Sequence, residues 1–306
     1  MKKNCKKIMI LLLLLLTLTG CTKTLKDKDN KPVKNEITGQ SVTENILCKP
    51  EDKEMLEIYE KNGKDISELP DCNDLKLTGN YEGLWNSFFV RPLGVAIIKL
   101  GGLFNSTALA LIVITLIIRL ILFPLTKNTA MQSEIIKKAQ PELNRIEKKY
   151  EGKTDSESLQ KKSQETMLVY KKYNINPISG CLFSFIQLPL LFAFLEAINR
   201  IPAIFEGEFL TFNMGLTPWI AITGGSYKYI IIPLLIIATT YFSFKMNRAV
   251  ASPELQKQNN MMMIFMTVFI GFMSFSLTTA IGIYWITSSL FTIFQNLLTD
   301  RSKVHE

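Results

Sequence analysis

Hydrophobic and polar positions along this chain fall into long blocks, not into the two-residue alternation of half-buried strands. Five runs with almost no charge, residues 103–123, 179–198, 228–244, 258–277 and 280–298, are each long enough to cross the ~30 Å hydrocarbon core of a bilayer as a helix. In lipid every backbone amide must find its partner inside the segment, so separate runs of this length predict helices and not barrel strands. The expected fold class is an all-α polytopic membrane protein with five transmembrane helices.

The segments ahead of these runs have a different pattern. "LWNSFFVRPLGVAIIKL" is apolar but interrupted by Arg91, Pro92 and Lys99, with aromatic residues clustered at its start. It predicts an interfacial helix over 84–102, lying along the outer leaflet. A sixth crossing there would reverse the orientation of everything that follows. At the amino terminus Lys2, Lys3, Lys6 and Lys7 precede "IMILLLLLLTLTG", the order of a signal peptide over residues 1–20. Leu18, Thr19, Gly20 and Cys21 resemble a bacterial lipobox, which predicts a lipidated Cys21 as the first mature residue; an uncleaved anchor is the alternative. Residues 21–83 then form a polar extracytoplasmic segment. Its first part, "TKTLKDKDNKPVKNEITGQSVTEN", is poor enough in apolar residues to predict a linker, with a small helical element somewhere in 46–80. Cys48 and Cys72 lie on the side of the membrane where disulfides persist, and a bridge or two free thiols both fit the sequence.

Charge fixes the orientation. Residues 124–178 carry eleven Lys and Arg against seven Asp and Glu, whereas residues 199–226 carry only Arg200 against Glu206 and Glu208. The link containing Lys245, Arg248 and Lys257 is basic, and residues 275–280 are uncharged. Basic loops stay cytoplasmic, so the first span runs inward and the tail at 301–306 lies in the cytoplasm. The net charge of +8 is thereby a topology signal and gives no support to nucleic-acid binding.

The large basic loop has helical periodicity of its own. Ile135, Ala139, Leu143, Ile146 and Tyr150 repeat at three- and four-residue steps, as do Leu159, Ser163, Thr166, Met167 and Tyr170. Thr154 and Glu157 have the spacing of a capping box, so an antiparallel hairpin is predicted over 128–173. It is either a solvated charged hairpin or a recruitment arm.

The candidate chemistry lies inside the spans. Arg119 stands in "LIVITLIIRLILFPL", where a cation at the centre of a spanning helix costs roughly 2.5–3.5 kcal/mol. Thr115 precedes it by four residues and Thr126 follows by seven, on the same helical face. The second span offers Ser184 and Gln187, the third Thr239, Thr240 and Ser243. In the last span Trp285, Ser288, Ser289, Thr292, Gln295 and Asn296 form one continuous stripe, opposite an apolar face of Ile283, Ile286, Leu290, Ile293 and Leu297. Singly, such residues serve as hydrogen-bonding glue between helices. Together, with Glu196 and Asp300 only at the edges of spans, they predict a hydrated, positively charged cavity between helices. Met261, Met262, Met263, Met266 and Met273 in and before the fourth span suit an adaptable surface but are also ordinary span residues.

These patterns exclude several functions. The spans hold no His, no paired carboxylates and no metal-ligand cluster; the one His is His305 and Cys181 stands alone, so neither an enzyme nor a cofactor is expected. Proton-coupled transport would call for mid-membrane carboxylates. An anion channel or solute transporter remains, as does a site that transiently receives the acidic, hydrophilic end of another polypeptide.

Three stretches carry a family resemblance: "RLILFPLTKNTAMQSEIIKKAQPELNRIEKKY", "YKKYNINPISGCLFSFIQLPLLFAF" and "GIYWITSSLFTIFQN". In order and topology they resemble the YidC/Oxa/Alb family of membrane protein insertases, over roughly residues 84–300. The lipobox and five spans are similar to the form found in Gram-positive bacteria. The resemblance implies a hydrophilic groove open to the cytoplasm and to lipid, with its arginine at Arg119 and with Gln187, Trp285 and Gln295 lining it. Thr115 and Ser288 join that set from helical phase. It also implies nascent membrane protein clients, whose tails enter the groove while their apolar segments slide along the third and fifth spans, and a recruitment role for the hairpin. Some members bind the ribosome through a long basic tail; the eight residues ending in Glu306 are short for that, which leaves the hairpin and the Sec translocon as routes of delivery. A chaperone that folds proteins inserted by others fits the same features. Replacing Cys21 with Ser is expected to abolish incorporation of labelled palmitate and to leave a precursor of higher mass; unchanged labelling would remove the lipobox reading.

Overall fold

The computed structural model describes residues 22–79, 81–175, 179–246 and 253–301. The expected signal peptide, Cys21 and the last residues of the tail lie outside them. The elements in chain order are α1 (Lys53–Lys61), a π-helical turn (Asn86–Val90) leading into α2 (Arg91–Phe104), α3 (Thr107–Lys149), α4 (Ser156–Lys172) and α5 (Ser179–Asn199). Then come the single turn α6 (Pro202–Phe205), a two-stranded hairpin of β1 (Glu208–Phe209) and β2 (Phe212–Asn213), α7 (Pro218–Thr223), α8 (Ile231–Met246), α9 (Pro253–Ser274) and α10 (Thr279–Arg301). Each of the five expected spans falls on a helix, α3, α5, α8, α9 and α10, and the chain is an all-α polytopic membrane protein. Among the described residues Asn86–Phe104, Thr107–Pro124, Tyr227–Met246 and Thr279–Leu298 are long and apolar enough to cross a membrane, with shorter apolar stretches at Leu188–Asn199 and Asn260–Ser274.

The chain forms two compact units, one of Met1–Ile118, Gln187–Ile236 and Gly271–Ser288, the other of Arg119–Ile186, Ile237–Ile270 and Ser289–Glu306. The main apolar core of the first is where α2, the start of α3, the end of α5 and the start of α10 meet, and Phe194 stacks on Tyr284 with ring centroids 4.6 Å apart. The π-helical turn and α2 together bury Val90, Leu93, Ile97 and Ile98 and leave Phe88, Phe89 and Leu103 exposed. Its two cations turn toward the chain before it: Arg91 donates to the carbonyls of Lys76 and Thr78, and Lys99 to that of Asn73.

The linker expected after Cys21 is instead folded. Leu25 N–H donates to Val42 O at 2.8 Å, Val33 N–H to Leu25 O at 2.8 Å and Val42 N–H to Val33 O at 3.0 Å. These bonds set Leu25 and Val42 in one buried cluster with Ile46, Met55, Tyr59 and Ile66. Few apolar residues suffice because their partners come from α1, whose Asp52 cap accepts from Glu54 N–H, so a composition window over 22–45 alone misses the core. Cys48 and Cys72 are bridged, and both sulfurs sit in the main core with Leu75 and Trp85.

The hairpin of the second unit is also corrected in detail. Its first arm is the continuation of α3, which runs without interruption through Pro124 and Pro141. The cap of α4 is Asp155, whose carboxylate accepts from Ser158 N–H at 2.8 Å, one residue later than the Thr154 box. Along the first arm Ile136, Ala139, Leu143, Ile146 and Tyr150 are buried largely as the periodicity requires. On α4 the buried residue is Val169, while Leu159 and Met167 are exposed, so the inward face is turned from the one expected. Charge sets that rotation: Lys162 pairs with Glu147 at 2.6 Å, Lys149 with Glu165 at 2.5 Å and Lys172 with Glu142 at 2.5 Å. The Lys172 ammonium and then the Tyr173 hydroxyl hold the Glu142 carboxyl below its usual range.

Because the Cys48–Cys72 bridge closes a loop with a sequence separation of 24, its removal is expected to destabilise the module by about 3 kcal/mol. Limited proteolysis of the Cys48→Ala/Cys72→Ala protein should cut residues 22–83 at protease levels that spare the oxidised protein. Equal resistance would mean the core holds the module unaided.

Candidate functional site

The second unit assembles its site from helices that are inverted relative to those of a soluble protein, with polar side chains inside and apolar ones outside. On α3 Arg119 and Thr126 are buried while Leu120 and Ile121 are exposed. On α8 Thr239, Thr240 and Ser243 are buried and Phe242 is exposed. On α9 Met263, Thr267 and Ile270 are covered, and Phe265, Val268 and Phe269 face outward together with Met261 and Met262. On α10 Thr292 and Gln295 are buried, whereas Leu290, Phe294, Leu297 and Leu298 are exposed. An exposed face of this size made of Leu, Ile, Phe and Met needs lipid or protein against it.

Thr126 and Gln295 tie two of these helices together. The Gln295 amide donates to Thr126 Oγ1 at 2.7 Å, and the threonine hydroxyl donates to the carbonyls of Leu122 and Phe123, one turn back in its own helix, at 3.2 and 3.1 Å. Asn296 donates to Thr292 O at 2.8 Å. Buried hydroxyls and amides in the same unit suit Arg119 better than apolar side chains would, because a charge in a low-dielectric interior is stabilised only by dipoles or counter-charges close to it. No Asp or Glu lies in the parts of the spans that belong to this unit. Arg119 is only 5% exposed, so the hydrated cavity expected around it is not open at the guanidinium in this conformation.

Of the remaining expected residues, Thr115, Trp285 and Ser288 belong to the first unit. Thr115 and Ser288 are buried, with the Thr115 hydroxyl donating to Leu111 O at 2.7 Å, and Trp285 is half-buried. The Gln187 side chain and Cys21 lie outside the described residues.

The first unit holds a charged cluster that sequence reading treated only as a topology signal. Arg200, 1% exposed, donates to Asn45 O at 2.6 Å and to Glu196 at 3.3 Å, and pairs with Glu82; Trp85 Nε1 donates to Glu196 at 2.9 Å. The four-residue step from Glu196 to Arg200 at the end of a span was the available signal. Glu82, Asn45 and Trp85 come from far along the chain, and nothing local marks them.

The fold and the site define a polytopic membrane protein with a buried cation and buried hydroxyls between spans and an apolar exterior. Comparison with known proteins narrows this class. The family model described as 60Kd inner membrane protein matches residues 99–306. A protein of Oceanobacillus iheyensis named membrane protein insertase YidC is 35% identical over 237 residues, which is 76% of this chain and 91% of the relative. Membrane protein insertase YidC 1 of Listeria monocytogenes is 34% identical over 225 residues, 73% of this chain and 75% of that protein. Membrane protein insertase MisCA of Bacillus subtilis is 31% identical over 235 residues, 75% of this chain and 85% of that protein. The chain belongs to the 60Kd inner membrane protein family, that of YidC, Oxa and Alb proteins. Residues 22–98, which include the folded module, lie ahead of the family match.

A double-mutant cycle on Thr126→Val and Gln295→Leu is expected to give a coupling of about 0.6–1.7 kcal/mol in thermal unfolding of the detergent-solubilised protein. Strict additivity would show that the 2.7 Å hydrogen bond does not hold α3 and α10 together.

Proposed function

We propose that this chain is a membrane protein insertase that receives the polar tail of a client against Arg119 and the buried hydroxyl and amide stripes around it. The observation that carries the reading is Arg119 itself: a guanidinium on the buried face of a membrane-crossing helix, in a unit whose other spans also turn Thr, Ser and Gln inward. The names of the relatives favour insertion over the anion-channel and transporter alternatives.

The mechanism needs no covalent step. A client's apolar segment of about 20 residues gains free energy by leaving water for lipid. The obstacle is its polar flank, which must cross hydrocarbon. Opening the polar stripes to that flank replaces lost water with side-chain hydrogen bonds, and the guanidinium attracts carboxylates on the tail. Because Arg119 is enclosed at rest, engagement requires the helices of the second unit to part, which weak hydroxyl and amide contacts permit more easily than an interlocked apolar core would. Within the second unit Gln295 and the buried hydroxyls line the path, and the exposed apolar faces of α8 and α10 guide the client's span.

In this reading Cys21 is lipidated, residues 22–83 lie outside, α2 rests along the outer leaflet and the tail is cytoplasmic. The one-sided burial of α2 and the excess of basic residues over 124–178 support that orientation. The 128–173 hairpin acts as a recruitment arm in the cytoplasm, and delivery involves the Sec translocon or the ribosome.

Replacing Arg119 with Ala is expected to lower insertion of a single-span client with an acidic tail about tenfold, equivalent to about 1.4 kcal/mol, in proteoliposomes holding equal amounts of each variant. A neutral-tailed client should lose less than twofold, and Arg119→Lys should retain most activity, since the demand is for charge and not fork geometry. Equal loss for both clients would make Arg119 a structural residue.

A further inference from the structure

The first unit contains a cavity of about 160 Å³ that the insertion mechanism leaves unused. It opens between the folded module and the segment after α5, with Asn35, Gln40, Thr43 and Tyr59 on one side and Asn199, Glu206 and Asn213 on the other. Drug-sized ligands occupy pockets of about 300 Å³ or more, so this one suits a headgroup or a chain end.

Its chemistry is one-sided. Asp52 and Glu206 line the cavity and no Lys, Arg or His does. Glu206 Oε1 accepts from the N–H groups of Glu51 and Asp52 at 2.8 and 3.0 Å, and one Asp52 oxygen accepts from Glu54 N–H at 3.0 Å. Among the described residues the second oxygen of each carboxylate has no hydrogen-bond donor. Burial pushes the Glu206 carboxyl above its usual range, which is the expected signature of a carboxylate held away from water without a counter-charge.

The interior wall has its own unmet groups. Gln40 is 7% exposed and Thr43 4%, and neither side chain is hydrogen-bonded to another described residue. By contrast Tyr59, Asn35 and Asn213 are engaged, while the Asn199 side chain has no hydrogen bond to another described residue. Tyr59 donates its proton to Thr43 O at 2.5 Å, Asn35 Oδ1 accepts from Ile37 and Thr38 N–H, and Asn213 Oδ1 accepts from Gly215 and Leu216 N–H. A buried amide and hydroxyl facing a cavity cost free energy unless something there bonds to them. Together the cavity is lined by two carboxylates, the amides of Gln40 and Asn199 and the hydroxyl of Thr43, each able to accept.

We propose that this cavity binds a primary ammonium group, either that of an amine-bearing lipid headgroup or that of a small soluble amine. An ammonium supplies three N–H donors and the missing positive charge in a volume that fits the space. A quaternary ammonium carries the charge but no donors and leaves Gln40 and Thr43 unmet.

Calorimetry on the full-length protein in nanodiscs of phosphatidylcholine and phosphatidylglycerol tests this. Titration with 1,5-diaminopentane should give saturable binding that tetramethylammonium does not reproduce. Glu206→Gln keeps an acceptor for the Glu51 and Asp52 amides, so its thermal unfolding should match wild type while amine affinity falls at least tenfold; Gln40→Leu should weaken binding several-fold. Repeating the titration in nanodiscs containing phosphatidylethanolamine separates the sources: lost heat marks the headgroup as occupant, and unchanged heat marks a soluble amine. Absence of saturable amine binding in the amine-free nanodiscs, equal binding of the quaternary ion, or full affinity in Glu206→Gln overturns the proposal.

Discussion

One constraint organises the membrane part of this protein: a guanidinium has to be kept in a helix whose other exposed surface is Leu and Ile. Left facing hydrocarbon, Arg119 would cost the helix roughly 2.5–3.5 kcal/mol of insertion free energy. The cost is offset by turning Arg119 inward, where it is 5% exposed, and by furnishing the same unit with Thr126, Thr239, Thr240, Ser243, Thr267, Thr292 and Gln295, all buried. The apolar exterior follows from the same choice, because helices that turn their polar stripes inward leave Phe265, Val268, Phe294 and Leu297 outside. Among the described residues of this unit's spans, buried apolar side chains such as Met263, Ile270 and Phe291 are outnumbered by buried polar ones. The interior is held by short hydroxyls and by bonds such as Gln295 to Thr126, and these can be exchanged for bonds to a guest chain.

The first unit is constructed on the opposite principle. Its centre is closely packed and apolar, stapled by the Cys48–Cys72 bridge and by Arg200 held among Glu196, Glu82 and Asn45. Breaking such a buried pair by removing one partner is strongly destabilising, whereas keeping it fixes geometry. A rigid unit and a polar, exchangeable one in the same chain suit a protein that must yield to clients in one region and keep its shape in another.

Much of this was legible in the sequence because it depends on local periodicity. Helices at the five long apolar runs follow from run length, and the inward polar stripe of α10 from Ser288 to Gln295 and the buried line Ala139, Leu143, Ile146 and Tyr150 follow from three- and four-residue steps. Distant pairings escaped. The module around Leu25, Val42 and Tyr59 looked like a linker because its apolar residues meet only after the chain folds back. The face of α4 was misplaced because salt bridges from Lys162, Glu165 and Lys172, not apolar contacts, set its rotation. Whether Cys48 and Cys72 join could not be decided from spacing. The burial of Arg119 depends on how its helix packs against others, which no single helix encodes.

The most direct measurement is water access to the inward stripe. Single cysteines at Thr292, on the buried face of α10, and at Phe294, on its exposed face, would be treated with a membrane-impermeant maleimide in inner-face-accessible vesicles. The expected result is slow labelling at Thr292→Cys that a stalled acidic-tailed client suppresses, with Phe294→Cys inert in lipid throughout. If Thr292→Cys stays unreactive while the vesicles insert client, the polar interior never opens to water or to a guest, and the central claim is wrong.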